Sequence, residues 1–227
     1  MNFKEEFLKA LPQLHPEGLD WDLVGILTRK SKVYTLSYDS KILSGIFEIL
    51  CEPIIIKVAE NNSLEIKKAV QNQYPEFTLF KKDKPNEKIA IDIKSTYRQR
   101  NIMGVIKPFG FTLGSYRSYL KDPSGKKGIL FPYSDYKAHW VIGFLYDRNP
   151  MYDRTEIKEI IEAAQLKPPY SNIEYFIQEK YRIAGKVTGS GNTTNIGSIK
   201  SRNISDFALG TGPFKTMAEF EDYWKNY

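Results

Sequence analysis

The sequence predicts an α/β (α+β) fold, a central mixed sheet flanked by helices. Three observations lead there: an amphipathic helical stretch at Lys41–Cys51, two strands at Phe77–Phe80 and Lys88–Lys94 joined by a turn, and an irregular order of helical and extended segments after them. The chain has 227 residues, 41% hydrophobic and 26% charged, which is a globular composition. A chain of this length buries roughly 70% of its unfolded surface, so its core needs neither disulfides nor a structural metal. No internal repeat and no long Gly/Ser or Pro-rich linker divides it, so one domain over residues 1–227 is the simplest count.

Asp39–Ser40 supplies a helix N-cap. At 100° per residue Ile42, Leu43, Ile46, Phe47, Ile49 and Leu50 share one broad face, and Lys41, Ser44, Glu48 and Glu52 share the other. Pro53 breaks this helix or opens a second one over Ile54–Glu60. Phe77–Phe80 and the alternating Lys88–Lys94 are strands, and Pro85-Asn86 between them is a turn signal, so they form an antiparallel hairpin. Trp140–Tyr146 is apolar throughout and fits a buried strand or a helical segment. Ile157–Ala164 is expected to be helical and to end before Pro168-Pro169. Phe176–Val187 is strand-like, Gly189–Ser198 is a Gly/Asn/Thr loop, and Met217–Trp224 is a terminal helix.

One Cys and two His exclude a zinc finger or ribbon and a disulfide framework. The apolar runs fall short of the ~20 residues that span a bilayer. Met1–Ala10 carries Glu5 and Glu6 and has no apolar signal core. The expectation is a soluble, reduced, cytoplasmic protein with no membrane partner. The net charge of +6 is concentrated: Lys81–Lys107 holds eight Lys/Arg against three acids, and Lys180–Arg202 holds five Lys/Arg and no acid. Two basic runs on an otherwise acidic chain point to a surface for a polyanion.

The chemistry centres on Ile91-Asp92-Ile93-Lys94. Period two sends Asp92 and Lys94 to one face of the strand and the two isoleucines to the other. A surface strand with a cross-facing ion pair is the more common source of that pattern; against it, Tyr74-Pro75-Glu76 precedes the other strand, and a hairpin brings Glu76 alongside Asp92. Two adjacent carboxylates repel unless a cation sits between them, and oxygen ligands suit Mg²⁺ or Mn²⁺. Lys94 would then orient a water or neutralise charge on a pentavalent transition state. Two acids and a lysine around one metal suit phosphodiester hydrolysis.

Pro-Glu followed by Asp-x-Lys on the next strand resembles the PD-(D/E)xK nuclease signature. The surrounding segments are similar to the EcoRV family of type II restriction endonucleases in the same order along the chain: Ser40–Glu48, Asn72–Leu79, Lys88–Tyr97, Phe111–Gly114, Ala138–Trp140 and Gly189–Ile199. The likeness runs from about Asp20 to Tyr227. It implies a restriction-endonuclease-like fold, with Glu76 and Asp92 as metal-binding carboxylates, Lys94 as the catalytic lysine and Glu48 as a further acid near a metal site. Gly189, Ser190, Gly191, Asn192, Thr193, Thr194 and Asn195 match the loop that reads bases in the major groove. Asn can pair with adenine, the Thr methyl can meet thymine, and Gly lets the backbone approach the base edges. Gln71 and Asn72 match a loop approaching the minor groove, and Lys41 and Thr112 match positions near phosphates. His139 and Trp140 are assigned to the core.

The resemblance implies a Mg²⁺-dependent homodimer, with Mn²⁺ able to substitute, acting on double-stranded DNA in a bacterial cytoplasm. It further implies blunt cutting at GATATC with 5′-phosphate and 3′-hydroxyl ends, and a cognate DNA methyltransferase in the same host. Rival readings are a same-fold nuclease of other specificity or with a repair or nicking role, and a DNA-binding protein whose site has decayed. The chain departs from the family pattern in three places. Glu76 replaces an Asp, Arg98–Gly110 is longer, and the C-terminus is shorter and lacks a basic tail.

Overall fold

A computed structural model describes residues 1–18, 22–70, 72–114, 116–189 and 195–227. The Asn2 side chain accepts the Glu5 N–H and starts α1 (Phe3–Leu14), which buries Phe3, Phe7 and Ala10 at helical spacing. A hairpin of β1 (Gly25–Leu27) and β2 (Lys32–Thr35) follows. Asp39 accepts N–H bonds from Lys41 and Ile42 and caps α2 (Ser40–Asn61). Then come β3 (Glu65–Lys68), β4 (Phe77–Phe80), β5 (Lys88–Tyr97), α3 (Tyr116–Lys121), β6 (Tyr136–Arg148), β7 (Ile157–Glu159) and β8 (Tyr170–Glu179). The chain closes with α4 (Lys180–Ile183), β9 (Ala184–Thr188), β10 (Ile196–Ser198), α5 (Ile204–Leu209) and α6 (Met217–Asn226).

The main sheet has the order β3-β4-β5-β6-β8, parallel between β5 and β6 and antiparallel at its other pairs. Its pleat separates two cores. On one face Phe77, Leu79, Ile91, Ile93, Ile142 and Phe144 pack under α1 and α2, with the Phe47 ring stacked on Phe144 at 4.4 Å. On the other face Ala90, Val141, Leu145 and Phe176 meet Phe111, Ile183, Ile196, Phe207 and Trp224. Gly143 is required there, because a Cβ would lie 2.2 Å from the Phe176 ring. Two smaller sheets, β1-β2-β7 and β10-β9, complete the arrangement.

The mixed sheet and the β4–β5 hairpin agree with the sequence reading, and Trp140–Tyr146 is strand. Four expectations are corrected. Pro53 neither ends α2 nor opens a second helix. It lies inside one 22-residue helix whose buried Cys51, Ile54, Ile55 and Val58 offset the roughly 3 kcal/mol that an interior proline costs. Ile157–Ala164 is not an α-helix, because Ile157–Glu159 pairs with β2 and Ile160–Gln165 is a 3₁₀ segment. With Ile157 58% and Ile161 84% exposed, no core face rewards a helix there. Phe176–Val187 is interrupted by the helical turn α4, which divides it between the main sheet and β9. Gly189–Ser198 is loop only in part, since Ile196–Ser198 pairs with β9.

The basic runs are also less of a surface than their charge suggests. Lys88 is buried on Asp135, Arg98 pairs with Glu174, and Lys180 is 1% exposed. Lys107, Lys186, Lys200 and Arg202 remain exposed.

Candidate active site

The hairpin register decides the site. Phe77 pairs with Ile91, so one residue back Glu76 stands opposite Asp92, on the face that points away from α2. The side chains do meet. Glu76 Oε2 accepts the Ile93 N–H at 3.1 Å, and Glu76 Oε1 accepts from Lys94 Nζ at 3.0 Å. Lys94 Nζ also donates to Asp92 Oδ1 at 2.8 Å and to the Ile93 carbonyl at 3.2 Å. A second ammonium stands behind Asp92. Lys180 Nζ lies 3.1 Å from Asp92 Oδ2, 3.3 Å from the Leu113 carbonyl and 4.0 Å above the Tyr74 ring.

The four groups are not equally accessible. The Glu76 and Lys94 side chains are 21% and 23% exposed, against 2% for Asp92 and 1% for Lys180. Glu76 and Lys94 therefore face a cleft of about 200 Å³, lined also by Asn72, Gln73, Tyr74, Leu113, Gly114 and Tyr119. Burial, with the Asp92 charge second, pushes the Glu76 carboxyl up to about 8. Burial acts upward on Asp92 too, but Lys180 and then Lys94 outweigh it and hold that carboxyl well below the usual range. Burial pushes Lys180 down to about 8, whereas Asp92 and Glu76 overcome burial at Lys94 and raise its pKa. One carboxyl is thus firmly ionised and its neighbour is short of positive charge. That all-oxygen pair fits a hard divalent cation.

Asn72 lines the same cleft, with a left-handed backbone (φ 66°). Glu48 belongs to α2, whose buried side chains pack on the sheet face opposite Asp92 and Lys94. Burial first, and the Glu48 charge second, push the Cys51 thiol up. Among the described residues no three acidic, His or Cys side chains converge to hold a metal. Lys41 sits in the first turn of α2, away from the cleft lining.

Gly189 donates its N–H to the Asn195 carbonyl at 2.9 Å and closes the base of the segment between them. Gln71, Ser190, Gly191, Asn192, Thr193 and Thr194 lie outside the described residues. Thr112 bridges to Gly197 and, with Lys107, Gly189 and Lys200, lines a groove of about 370 Å³. Segment 111–114 joins the two clefts, with Thr112 in one and Leu113 and Gly114 in the other. His139 and Trp140 belong to the core as expected. His139 Nδ1 and the Tyr74 hydroxyl are 2.8 Å apart, and the imidazole stacks on Tyr133.

Sequence reasoning missed Lys180. A lysine in a strand-like run carries no sign of burial, since lysines are almost never fully buried. Only the α4 turn brings it in.

A mixed sheet with Glu, Asp and Lys converging on adjacent strands, flanked by helices, is the restriction-endonuclease-like fold. The model of the family Restriction endonuclease EcoRV matches residues 17–227. The chain is also 40% identical over 230 residues to the Type II restriction enzyme EcoRV of Escherichia coli, covering 100% of this chain and 89% of that protein. The chain therefore belongs to the EcoRV restriction endonuclease family and is an enzyme, a type II site-specific deoxyribonuclease.

Proposed function

We propose that this enzyme cuts both strands of GATATC at its centre in a Mg²⁺-dependent reaction, leaving blunt ends with 5′-phosphate and 3′-hydroxyl groups. The observation that carries the reading is the convergence of Glu76, Asp92 and Lys94 at the mouth of an open cleft. Glu76 and Asp92 would hold the cation, with Glu48 of α2 as a further acid near a metal site. When bound between them, a divalent cation would supply Lewis-acid polarisation of the scissile phosphate and of the attacking water. Lys94 spends its three N–H donors on Glu76, Asp92 and the Ile93 carbonyl, so it gives up at least one of these bonds to reach a phosphate oxygen. Its ammonium then offsets charge that grows as the phosphorus becomes pentavalent. The Ile93 N–H holds Glu76 in place meanwhile.

For recognition, the reading rests on the segment from Gly189 to Asn195, whose Asn and Thr side chains suit adenine and thymine edges in the major groove. Thr112, Lys107 and Lys200 line the groove at its base and suit phosphate contact. Asn72 and Gln71 would approach from the minor-groove side, and Lys41 would meet the backbone. A two-fold site calls for a two-fold enzyme. Ile26, Tyr34 and Ile157, all exposed and in register on one face of β1-β2-β7, form an apolar surface that suits a second copy. Among the described residues no helix is long and apolar enough to cross a membrane. We place the enzyme in a bacterial cytoplasm, beside a DNA methyltransferase that protects host sites.

Incubation with a sequenced plasmid and Mg²⁺ tests the reading. Discrete blunt fragments mapping to GATATC are expected. Fragments from other sites would overturn the specificity, nicking would favour the repair reading, and binding without cleavage would favour a decayed site.

A further inference from the structure

Lys180 has no part in the chemistry set out above, yet an ammonium that is 1% exposed must be matched by an anion to be tolerated. Its anion is Asp92, and the two lysines divide that carboxylate: Lys94 takes Oδ1 at 2.8 Å and Lys180 takes Oδ2 at 3.1 Å. Lys180 also donates to the Leu113 carbonyl. The Leu113 N–H donates to the Ile196 carbonyl at 2.8 Å, and the Ile196 N–H donates to the Gly114 carbonyl at 3.0 Å. Residue 195, next to Ile196, closes the base of the 189–195 segment. An ion pair and then hydrogen bonds thus run from the buried carboxylate to the foot of that segment, and Lys180 is the junction. Its backbone begins the turn that leads into β9 and on to Gly189.

We propose that Lys180 is a positioning residue that pins Asp92 Oδ2, leaves Oδ1 as the oxygen offered to a divalent cation, and couples that carboxylate to the base of the 189–195 segment. The inference rests on the reading of Asp92 as a cation ligand and of 189–195 as the base-reading segment. Groups that orient a metal ligand through its second oxygen tune both its geometry and its charge. Removing Lys180 therefore has two consequences of opposite sign. The site becomes more negative and attracts a cation more strongly, while Asp92 is freed to turn and loses its tie to the reading segment.

The test uses Lys180→Met, which keeps the side chain's length without charge, and Lys180→Gln, which keeps a donor for the Leu113 carbonyl. Mn²⁺ is titrated into each full-length protein and free ion is followed by electron paramagnetic resonance. Single-turnover cleavage is measured at saturating Mg²⁺ on the site mapped for the parent and on sites changed at one base pair. Both variants are expected to bind Mn²⁺ at least threefold more tightly, cleave at least 30-fold more slowly, and lose at least tenfold in discrimination. Unchanged or weaker Mn²⁺ binding overturns the proposal, as does unchanged discrimination. Loss of the folded state in both variants, seen by circular dichroism, assigns Lys180 to the fold alone and overturns it too. Asp92→Asn is the separate control: if it binds Mn²⁺ like the parent, the cation-site reading itself fails.

Discussion

Replacing Lys94 by Met separates what this ammonium does for the fold from what it does for the reaction. In the folded protein it lies 3.0 Å from Glu76 and 2.8 Å from Asp92, and breaking a buried ion pair commonly costs about 3–5 kcal/mol. The cost here is smaller, because Glu76 already favours its protonated form near neutral pH and Asp92 keeps Lys180. A loss of about 1–2 kcal/mol follows, or about 5 °C in melting temperature for a chain of this size. In the transition state no such relief exists, since the phosphorane charge cannot be taken up by a shifted carboxyl pKa. Losing one preorganised donor costs 10²–10³ in rate, and losing a full charge should reach about 10³ or more, about 4 kcal/mol. The assay is single-turnover cleavage of plasmid at saturating Mg²⁺, alongside thermal denaturation monitored by circular dichroism. Cleavage within tenfold of the parent would refute the assignment. A fall in melting temperature beyond about 10 °C would show that the ammonium serves chiefly the fold.

Glu76→Gln keeps the reach of the side chain but not its charge, and should lower cleavage at least 100-fold. Glu76→Asp, which can still place a carboxylate beside Asp92, should stay within about tenfold of the parent in the same assay. Because Glu76 is raised from its ordinary 4.5 to about 8, the unfolded chain loses this proton at lower pH than the folded one. Without metal, this carboxyl's contribution to stability should decline as pH rises from about 4.5 to about 8, while buried His139, held below its ordinary 6.5, acts the other way up to that pH. Denaturation of the parent against Glu76→Gln across the range isolates the Glu76 part. Mg²⁺ binding at pH 7 should release a proton, detectable by calorimetry in buffers of different ionisation enthalpy; no buffer dependence would contradict the raised carboxyl. Ile157→Asp, on the exposed face that Ile26, Tyr34 and Ile157 share, should shift the protein from dimer to monomer in analytical ultracentrifugation, and an unchanged dimer would move the interface elsewhere.

What could be read from the sequence was whatever local spacing determines. The β4–β5 hairpin needed only alternation and Pro85-Asn86, and with it came the pairing of Glu76 with Asp92. Asp39 capped α2 where expected. The readings that failed depend on partners distant in the chain. Ile157, Ile160 and Ile161 have helical spacing, but β2, more than a hundred residues earlier, supplies the pairing edge. The turn α4 inside Phe176–Val187 leaves no mark in a run of strand-forming residues, and Lys180 was invisible with it. Glu48 shared a helix with Lys41 as read, but only the fold could show that α2 packs on the sheet face opposite Asp92. In α1 the signal was present and unused: Asn2 with Glu5 three residues on, and Phe3, Phe7 and Ala10 at helical spacing.

The glutamate at position 76 is accommodated by its orientation. One extra methylene extends a carboxylate by about 1.5 Å, and Mg²⁺ holds its oxygens near 2.0–2.1 Å, so a Glu aimed straight at the position of an Asp ligand would overreach. The register leaves no slack, since Phe77 and Ile91 are paired and Glu76 is fixed opposite Asp92. The extra length is spent sideways instead. Oε2 reaches along the neighbouring strand to the Ile93 N–H, and Oε1 remains beside Lys94. Each carboxylate of the site is thereby tethered through one oxygen and presents the other to Lys94: Glu76 is tethered by a backbone amide, Asp92 by a buried lysine. Asp92 takes its tether from Lys180, the first residue of α4. A longer acid on one strand and a buried ammonium behind the other are two answers to one requirement, that each carboxylate hold still while its other oxygen faces Lys94.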